Sequence, residues 1–525
     1  MERTHHQHRK MPGRRRTSTP RRYEYFPHPE ADATLKSVFF RIGRPPETLF
    51  VPDPFQIQAL EAIGHSDCLV TAPTGSGKTW IAEQAIRQIF QRGGRAWYAS
   101  PLKALSNSKW VEFCQCFEDA NVGILTGDTK ENTEAPIIVG TTEILRNQLY
   151  DAMHKGEDLS CDLVILDEAH FLGDHDRGVV WEEVMIYLPT RIPLLLLSAT
   201  IGNAHEIAAW LSTLRGKACR IVTSEQRPVP LYPLFLHPSG RLMPFLEKKT
   251  LSAGVKVFVD KERSHHRTPE RPMPPAGVLH VLETYRLLPA IFFLKSRVDC
   301  DLALKNFRSL SSLARSEDFA RDLGDLLERF PYLKNHKHLN ILNGARVASH
   351  HGGQLPAWKF LVEEMMKRGH LRAIFATSTV AAGVNFPART IVMFHSDLFN
   401  GHEFEPLTST EFHQMTGRAG RRGRDRIGFM LLVPGRFMDI RHIRRLLFTE
   451  PEDIISQIRN DFSMILNLLL SQTPENIREI FQRSFATFQQ QPGKKEAKTA
   501  DELWADFCMH LEFLKTEGFV DHCSR

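Results

Sequence analysis

The stretch APTGSGKT, Ala72 to Thr79, sets two glycines ahead of a lysine and a hydroxyl residue. An apolar run, DCLVT, enters it and a helix-like run, WIAEQAI, leaves it. Backbone N–H groups at such a helix start lack partners, and their partial positive charge attracts phosphate. On this reading Ala72, Pro73, Thr74, Gly75, Ser76 and Gly77 form a phosphate cradle. Lys78 reaches the outer phosphates of a nucleoside triphosphate, and the Thr79 hydroxyl ligates a divalent cation. Ala72 stands where the usual pattern has glycine, so the flanking strand and helix carry the assignment.

A second cluster supplies carboxylates. DLVILDEAHFLGD, Asp162 to Asp174, is an apolar strand ending in Asp167 and Glu168. Parallel sheets place such residues at the carboxyl edge, where nucleotides bind. There Asp167 would hold the cation, and Glu168 would orient or deprotonate an attacking water. Alone, a strand followed by Asp-Glu reads equally as a solvated helix cap. Its place 89 residues beyond Lys78, with strands between, makes it a partner of the cradle. LLLLSATIGN, Leu194 to Asn203, adds Ser198 and Thr200 at a further strand end.

A third cluster, QMTGRAGRRGRDR, Gln414 to Arg426, holds five arginines. Gln414, Arg418 and Arg421 lie three or four residues apart, so in a helix they share one face. Pointing across a cleft at the cradle, Arg421 and Arg418 would stabilise charge on a transferred phosphoryl group. Arg422, Arg424 and Arg426 gain no role from this spacing and read as a solvated or weakly polymer-facing edge.

The order A-x-x-G-x-G-K-T, D-E-A-H, S-A-T resembles the superfamily-two helicases. SPLKALSNSKWVEF, LTGDTKENTEAPIIVGTTEILRNQLY, RGVVWEE and RPVPLYPLF, with HHGGQLP, IFATSTVAAGVNFPART and QMTGRAGRRG, narrow the likeness. Together they resemble the superkiller-type, exosome-associated DExH-box RNA helicases, over roughly residues 50–240 and 286–488.

The resemblance implies ATP and Mg2+ as cofactors, the metal resting on Thr79 and Asp167. It implies that Gln56 reads adenine, although a glutamine at a helix start needs no such role, and that Asn385 approaches the ribose. His170, Ser198 and Thr200 would couple the nucleotide to a nucleic-acid track. That track would run over Pro101, Lys103, Asn107, Thr141, Thr142 and Arg146 in the first domain and His351, Gly352, Thr377 and Ser378 in the second. Their chemistry suits phosphate contact without sequence readout, and each is equally a common cap or solvated residue. Asn400-Gly401 marks a hairpin turn, which in the family splits the duplex and otherwise is a surface hairpin.

Elements must carry these residues. Ten apolar runs read as parallel strands covered on both faces. DCLVTA, AWYAS, PIIVGT, DLVILDE and PLLLLSA lie in the first half, and AIFFLKS, RVASHHG, RAIFATS, RTIVMFH and GFMLLVP in the second. The fold class is therefore α/β, and the resemblance makes it two tandem RecA-like parallel-sheet domains with a short helical C-terminal segment, the start of a winged helix. The expected divisions are a disordered basic tail at 1–45, an ATP-binding domain at 46–225 and a connection with a flexible loop at 226–285. A second helicase domain follows at 286–455, then a helical, incomplete winged-helix region at 456–525. Ile454 to Gln490 has a spacing that equally suits a packed core helix.

Composition sets outer bounds. Of the formal net charge of +6, residues 1–22 carry +7, so the remainder is about neutral and is not a basic nucleic-acid-binding surface as a whole. No apolar run approaches the roughly 20 residues that span a bilayer, so no membrane partner is expected. Eight scattered cysteines show neither zinc-site spacing nor disulfide density, which points to a reducing, cytoplasmic location.

The expected function is an ATP-dependent helicase moving 3′ to 5′ on single-stranded or 3′-tailed RNA in RNA processing or decay. A DNA helicase of the related repair type and an ATP-gated RNA clamp or scaffold are the alternatives. The resemblance also implies C-terminal modules that this sequence lacks, so a shortened form, a protein partner supplying them, or weak processive unwinding is expected.

Overall fold

The computed structural model describes residues 29–46, 50–264, 273–307, 316–378, 388–399, 403–458, 462–490 and 499–521. All ten apolar runs are strands paired in parallel, five in each of two eight-stranded sheets. The first sheet runs Lys130–Glu131, Val122–Leu125, Ile137–Thr141, Ala96–Ser100, Leu163–Asp167, Leu194–Ser198, Asp67–Thr71, Cys219–Thr223. The second runs Glu30–Ala31, Arg241–Pro244, Leu231–Leu236, Gly428–Leu432, Thr390–Met393, Ala290–Phe293, Ala373–Ala376, Val347–His350. One antiparallel pair in each sheet makes it mixed. These are two tandem RecA-like domains.

Parallel neighbours cannot be joined by a tight turn, so helices cross between them and cover both faces. Lys78–Gln91, Lys103–Phe117, Thr142–Lys155, Gly178–Tyr187 and Ala204–Arg215 do so in the first domain. The strand entering the cradle is pinned at its start. There the fully buried Asp67 accepts from Arg215 at 2.6 Å and from the Leu194 amide at 2.8 Å.

Two divisions differ from the sequence reading. Residues 29–45 are not tail. Glu30–Ala31 pairs with Arg241–Pro244, and Leu35 and Val38 lie in the core of the second domain. The apolar spacing of Leu35, Val38, Phe39 and Ile42 carried that signal beneath the basic composition upstream. Residues 1–28 lie outside the described residues.

The 226–285 segment is not merely a connection. Leu231–Leu236 joins the second sheet in parallel beside Gly428–Leu432, so that domain begins some 55 residues before the expected boundary at 286. The charged, proline-rich run read as a loop includes the end of helix Ala253–Ser264, and 265–272 lie outside the described residues.

The C-terminal helices Phe462–Ser471, Pro474–Arg483, Phe485–Phe488 and Ala500–Thr516 return to the first domain. Ile477, Ile480, Phe481, Phe485 and Phe507 bury against a core that includes Trp181 and Trp210. Polar bonds fix the register of this return. Asn203 both accepts from the Ile454 amide and donates to its carbonyl, each at 2.8 Å. Trp210 donates to the Arg483 carbonyl at 3.0 Å. Glu182, fully buried, accepts from the Phe485 amide at 2.8 Å and from the Ser456 hydroxyl. Gly178 and Gly202 leave room for the passing chain, where a Cβ would meet Gln457 at 2.8 Å and Asp453 at 2.4 Å. No helix among the described residues is long and apolar enough to cross a membrane.

Burial pushes the Glu182 carboxyl from 4.5 up to about 7, against hydrogen bonds from Ser456, Phe485 and Gln457 that favour its charged form. A carboxyl with a raised folded pKa stabilises the fold when protonated, and that contribution is lost as pH rises through the folded value. Urea unfolding of wild type is therefore expected to lose up to about 3 kcal/mol relative to Glu182→Gln between about pH 5 and pH 8. Parallel pH profiles for the two proteins would remove Glu182 from the linkage.

Candidate active site

The cradle lies at the carboxyl end of Asp67–Thr71, and helix Lys78–Gln91 begins immediately after it. Gly75 and Gly77 have φ of +83° and +93°, a region that side chains disfavour. Gly77 is also crowded, since a Cβ there would sit 2.7 Å from Gln56 Nε2 and 3.0 Å from Arg422 Nη1. Lys78 Nζ donates to the carbonyls of Ala72 and Pro73 at 2.7 and 3.2 Å, folding back over the loop. Burial lowers its pKa, Glu168 and Asp167 oppose that, and Arg418 adds to it.

The carboxylates sit where the parallel sheet predicts, at the end of Leu163–Asp167. Asp167 accepts from the Tyr98 hydroxyl and from the Glu168 amide at 3.0 Å. Burial raises the Asp167 pKa, as does Glu168, while Lys109 lowers it. Glu168 adopts a left-handed backbone with φ of +58°, a conformation costly for a residue with a side chain and concentrated at functional sites. His170 Nδ1 lies 3.4 Å from a Glu168 oxygen, and neither ring nitrogen has a hydrogen-bond partner. Burial, aided by Lys78, holds that imidazole down to about 4, so it is neutral near pH 7.

The arginine cluster closes the site, with a changed division of labour. The helix ends at Thr416, and Gly420 (φ +86°) turns the chain out of the helical path, so Gln414, Arg418 and Arg421 do not share a helical face. Gly417 packs on the cradle itself, where a Cβ would stand 2.9 Å from Thr74. Arg418 is buried between the domains, its pKa lowered by burial and raised by Glu168. Arg421 instead grips Asp425 of its own domain at 2.7 and 2.9 Å, and Asp425 also holds Arg389. Arg422, read as a solvated edge, crosses to the first domain, bonding the Ser76 carbonyl and Asp53 at 2.7 Å. Arg424 and Arg426 are also engaged, with the Lys367 carbonyl and the backbone of Gly43 and Arg44.

Gln56 is fully buried, with its carboxamide divided between the Asp53 amide at 2.7 Å and the Gly77 carbonyl at 2.9 Å. The helix-start role is thus realised alongside contact with the cradle. Ser198 Oγ is buried without a partner, and Thr200 is half-buried beside it. Asn385 and the Asn400-Gly401 turn lie outside the described residues. Strands Asp397–Phe399 and Phe404–Pro406 that flank the turn are paired antiparallel.

The expected track divides. Pro101, Lys103, Thr141, His351 and Gly352 line one cleft of about 490 Å3 between the domains, together with Arg177 and Lys359. Arg177 also donates to the Pro101 carbonyl. His351 is set by Asp301 at 3.1 Å. Burial would push that carboxyl up, but bonds from Lys337 and His351 outweigh it and hold it down to about 2. Ser378 lines a second cavity of about 550 Å3 with His170 and Gln414. Asn107, Thr142, Arg146 and Thr377 line neither, and Arg146 is spent on the buried Glu183 at 3.1 Å.

This geometry has named relatives. A DEAD/DEAH box helicase family model matches residues 53–207, and a helicase conserved C-terminal domain model matches 325–423. Superkiller complex protein 2 of Homo sapiens is 36% identical over 512 residues, 91% of this chain and 40% of that protein. Exosome RNA helicase MTR4 of Homo sapiens is 32% identical over 475 residues, 86% of this chain and 45% of that protein. Probable helicase HelY of Mycobacterium tuberculosis is 36% identical over 477 residues, 84% and 52% respectively. The chain belongs to the superkiller-like DExH-box helicases. It spans about half or less of the length of these curated relatives. The matched domains make the cradle of this DExH-box chain an ATP site.

Three residues at or beside that site, Tyr98, Lys109 and Asp53, escaped the sequence reading, and Arg422 was given no role in it. Arg422→Ala frees Asp53 and the Ser76 carbonyl without touching the carboxylates. Steady-state ATP hydrolysis is expected to show KM raised about 3- to 10-fold with a smaller change in kcat. A fall in kcat at constant KM would assign Arg422 to the chemical step instead.

Proposed function

We propose that this chain is an ATP-dependent RNA helicase that moves 3′ to 5′ on single-stranded RNA and separates duplex ahead of it, in RNA processing or decay. One observation carries the reading. The cradle and carboxylates come from the first domain and the buried Arg418 from the second, while one cleft beside them is lined from both. Closing the domains on ATP and gripping a polymer are then the same movement.

In hydrolysis Lys78 leaves the Ala72 and Pro73 carbonyls for the β- and γ-phosphates of ATP, and Glu168 orients or deprotonates the attacking water. Arg418 stabilises charge on the transferring phosphoryl group, and Arg421, released from Asp425, is the second candidate for that role. The surroundings of Thr79 and Asp167 favour a cation, since Lys109 Nζ stands 2.8 Å from Thr79 Oγ1 and its charge lowers the Asp167 pKa. Those two residues would hold Mg2+, which neutralises phosphate charge when bound. Gln56 and Asn385 remain the residues proposed for adenine and ribose. His170, Ser198 and Thr200 are the proposed coupling set, and Gln414, which lines a cavity with His170, is kept among the proposed catalytic residues.

RNA rather than DNA is supported by relatives named as RNA helicases. A reducing, cytoplasmic compartment is supported by seven free cysteines among the described residues. A protein partner belongs to the same reading. In the track, Lys103, Arg177 and Lys359 are the cations at the cleft, and 3′-tailed RNA is the proposed substrate.

ATP hydrolysis measured without polymer, with single-stranded RNA and with single-stranded DNA tests the assignment. RNA is expected to stimulate wild type more than DNA does, and Glu168→Gln and Arg418→Ala are expected to lower kcat by about 10³-fold. Equal stimulation by both polymers would favour the DNA reading. RNA-stimulated hydrolysis without separation of a 3′-tailed duplex would favour the clamp.

A further inference from the structure

The hairpin Asp397–Phe399 and Phe404–Pro406 belongs to neither large sheet. Its base is tied by backbone, with Ser396 donating to the Phe437 carbonyl at 2.9 Å and Leu407 donating to Ser396 at 2.9 Å. Its arms project beyond that base and expose two aromatic rings, Phe399 and Phe404, 5.2 Å apart. A two-stranded ribbon of this length has little stability of its own.

One side chain holds the arms. Lys295 Nζ lies 2.6 Å from Asp397 Oδ2, 3.8 Å from the Phe404 ring centre and 3.7 Å from the Phe437 ring centre. Its partners come from both hairpin arms and from the loop after Gly428–Leu432, and Lys295 follows strand Ala290–Phe293. Only 15% of the lysine side chain is exposed, whereas the Phe404 and Phe437 rings that flank it keep an outer face in water, so the cation is held between two rings at the surface of the domain. The other carboxylate oxygen of Asp397 is buried without a hydrogen bond, with His395 Nδ1 3.8 Å away, so Lys295 is the group that hydrogen-bonds this acid among the described residues.

We propose that Lys295 is a positioning residue that locks the hairpin to the second-domain sheet, so that movement of the domain is delivered to the duplex junction. This rests on the helicase reading for its consequence but not for the lock. Without the ammonium, Asp397 is left unpaired and the two rings lose their common partner, and the arms swing about the base. ATP hydrolysis, carried by cradle residues that are not among the partners of Lys295, continues, and its yield in separated base pairs falls.

The test uses the full chain with Lys295→Met, which keeps length and removes charge, and Lys295→Arg, which keeps the cation. Amide exchange read by mass spectrometry is expected to speed by at least about tenfold in residues 397–399 and 404–406 of the Met variant and not in the main strands. Separation of a 3′-tailed RNA duplex is expected to fall by at least about tenfold while RNA-stimulated ATPase stays within about twofold, with the Arg variant recovering both properties. Unchanged exchange in Lys295→Met overturns the lock. Faster exchange with duplex separation intact overturns its role in unwinding. If wild type separates no duplex, the helicase reading fails, and the exchange result alone decides whether Lys295 holds the hairpin. Phe437→Leu, which removes one ring outside the hairpin, is expected to reproduce the exchange change in weaker form.

Discussion

The buried charges between the two sheets are the constraint on which the rest of the molecule depends. Lys78, Asp167 and Glu168 come from the first domain and Arg418 from the second, and the field of each reaches the others. Burying an ionised group away from water is costly unless an opposite charge lies close. Lys78 and the two carboxylates compensate within the first domain, and Arg418 has Glu168 as its opposite charge only when the domains are together. The Arg422 bridge to Asp53 and Ser76, and the contact of Gly417 with Thr74, then have a reason: they hold the geometry in which the charges compensate.

The chain is interlaced around this closure. The segment preceding the first domain lies on the second, where Leu35 and Val38 are buried, and the segment leaving the second returns to the first through Ile454 and Phe485. Domains joined at three places differ from domains joined by a single linker, because a change in the cleft pulls on the return segment as well. Gly202 and Asn203, one residue beyond S-A-T, are the point at which that segment touches the strand-end loop of the nucleotide site. Glu182 and Glu183 extend the connection, one bound to the return segment and the other to Arg146 on helix Thr142–Lys155.

Much of the frame was legible. Continuous apolar runs of four or five residues became parallel strands because helices on both faces bury both sides of each strand, which leaves a run of one character to read. The cradle was legible because its chemistry is local: strand, glycines, lysine and helix follow one another. Short or half-exposed strands were not legible. Glu30–Ala31 has two residues, and Cys219–Thr223 at the sheet edge alternates in burial. The Leu231–Leu236 run was visible as letters, but nothing in it says which sheet it joins.

The sequence by itself determined the phosphate cradle, the paired carboxylates and the two α/β domains, since each follows from neighbours along the chain. Tertiary structure alone decided which arginine does what. Five arginines within thirteen residues carry the same charge and nearly the same spacing, and they separate only by what they meet. Arg418 meets Glu168, Arg421 meets Asp425, Arg422 meets Asp53, and Arg424 and Arg426 meet backbone carbonyls. Beyond the helix end at Thr416, the left-handed Gly420 and Gly423 turn successive side chains in different directions, and the partners come from residues as far as 382 positions away. Charge is written in the sequence, whereas the compensation of charge is a property of folded distance.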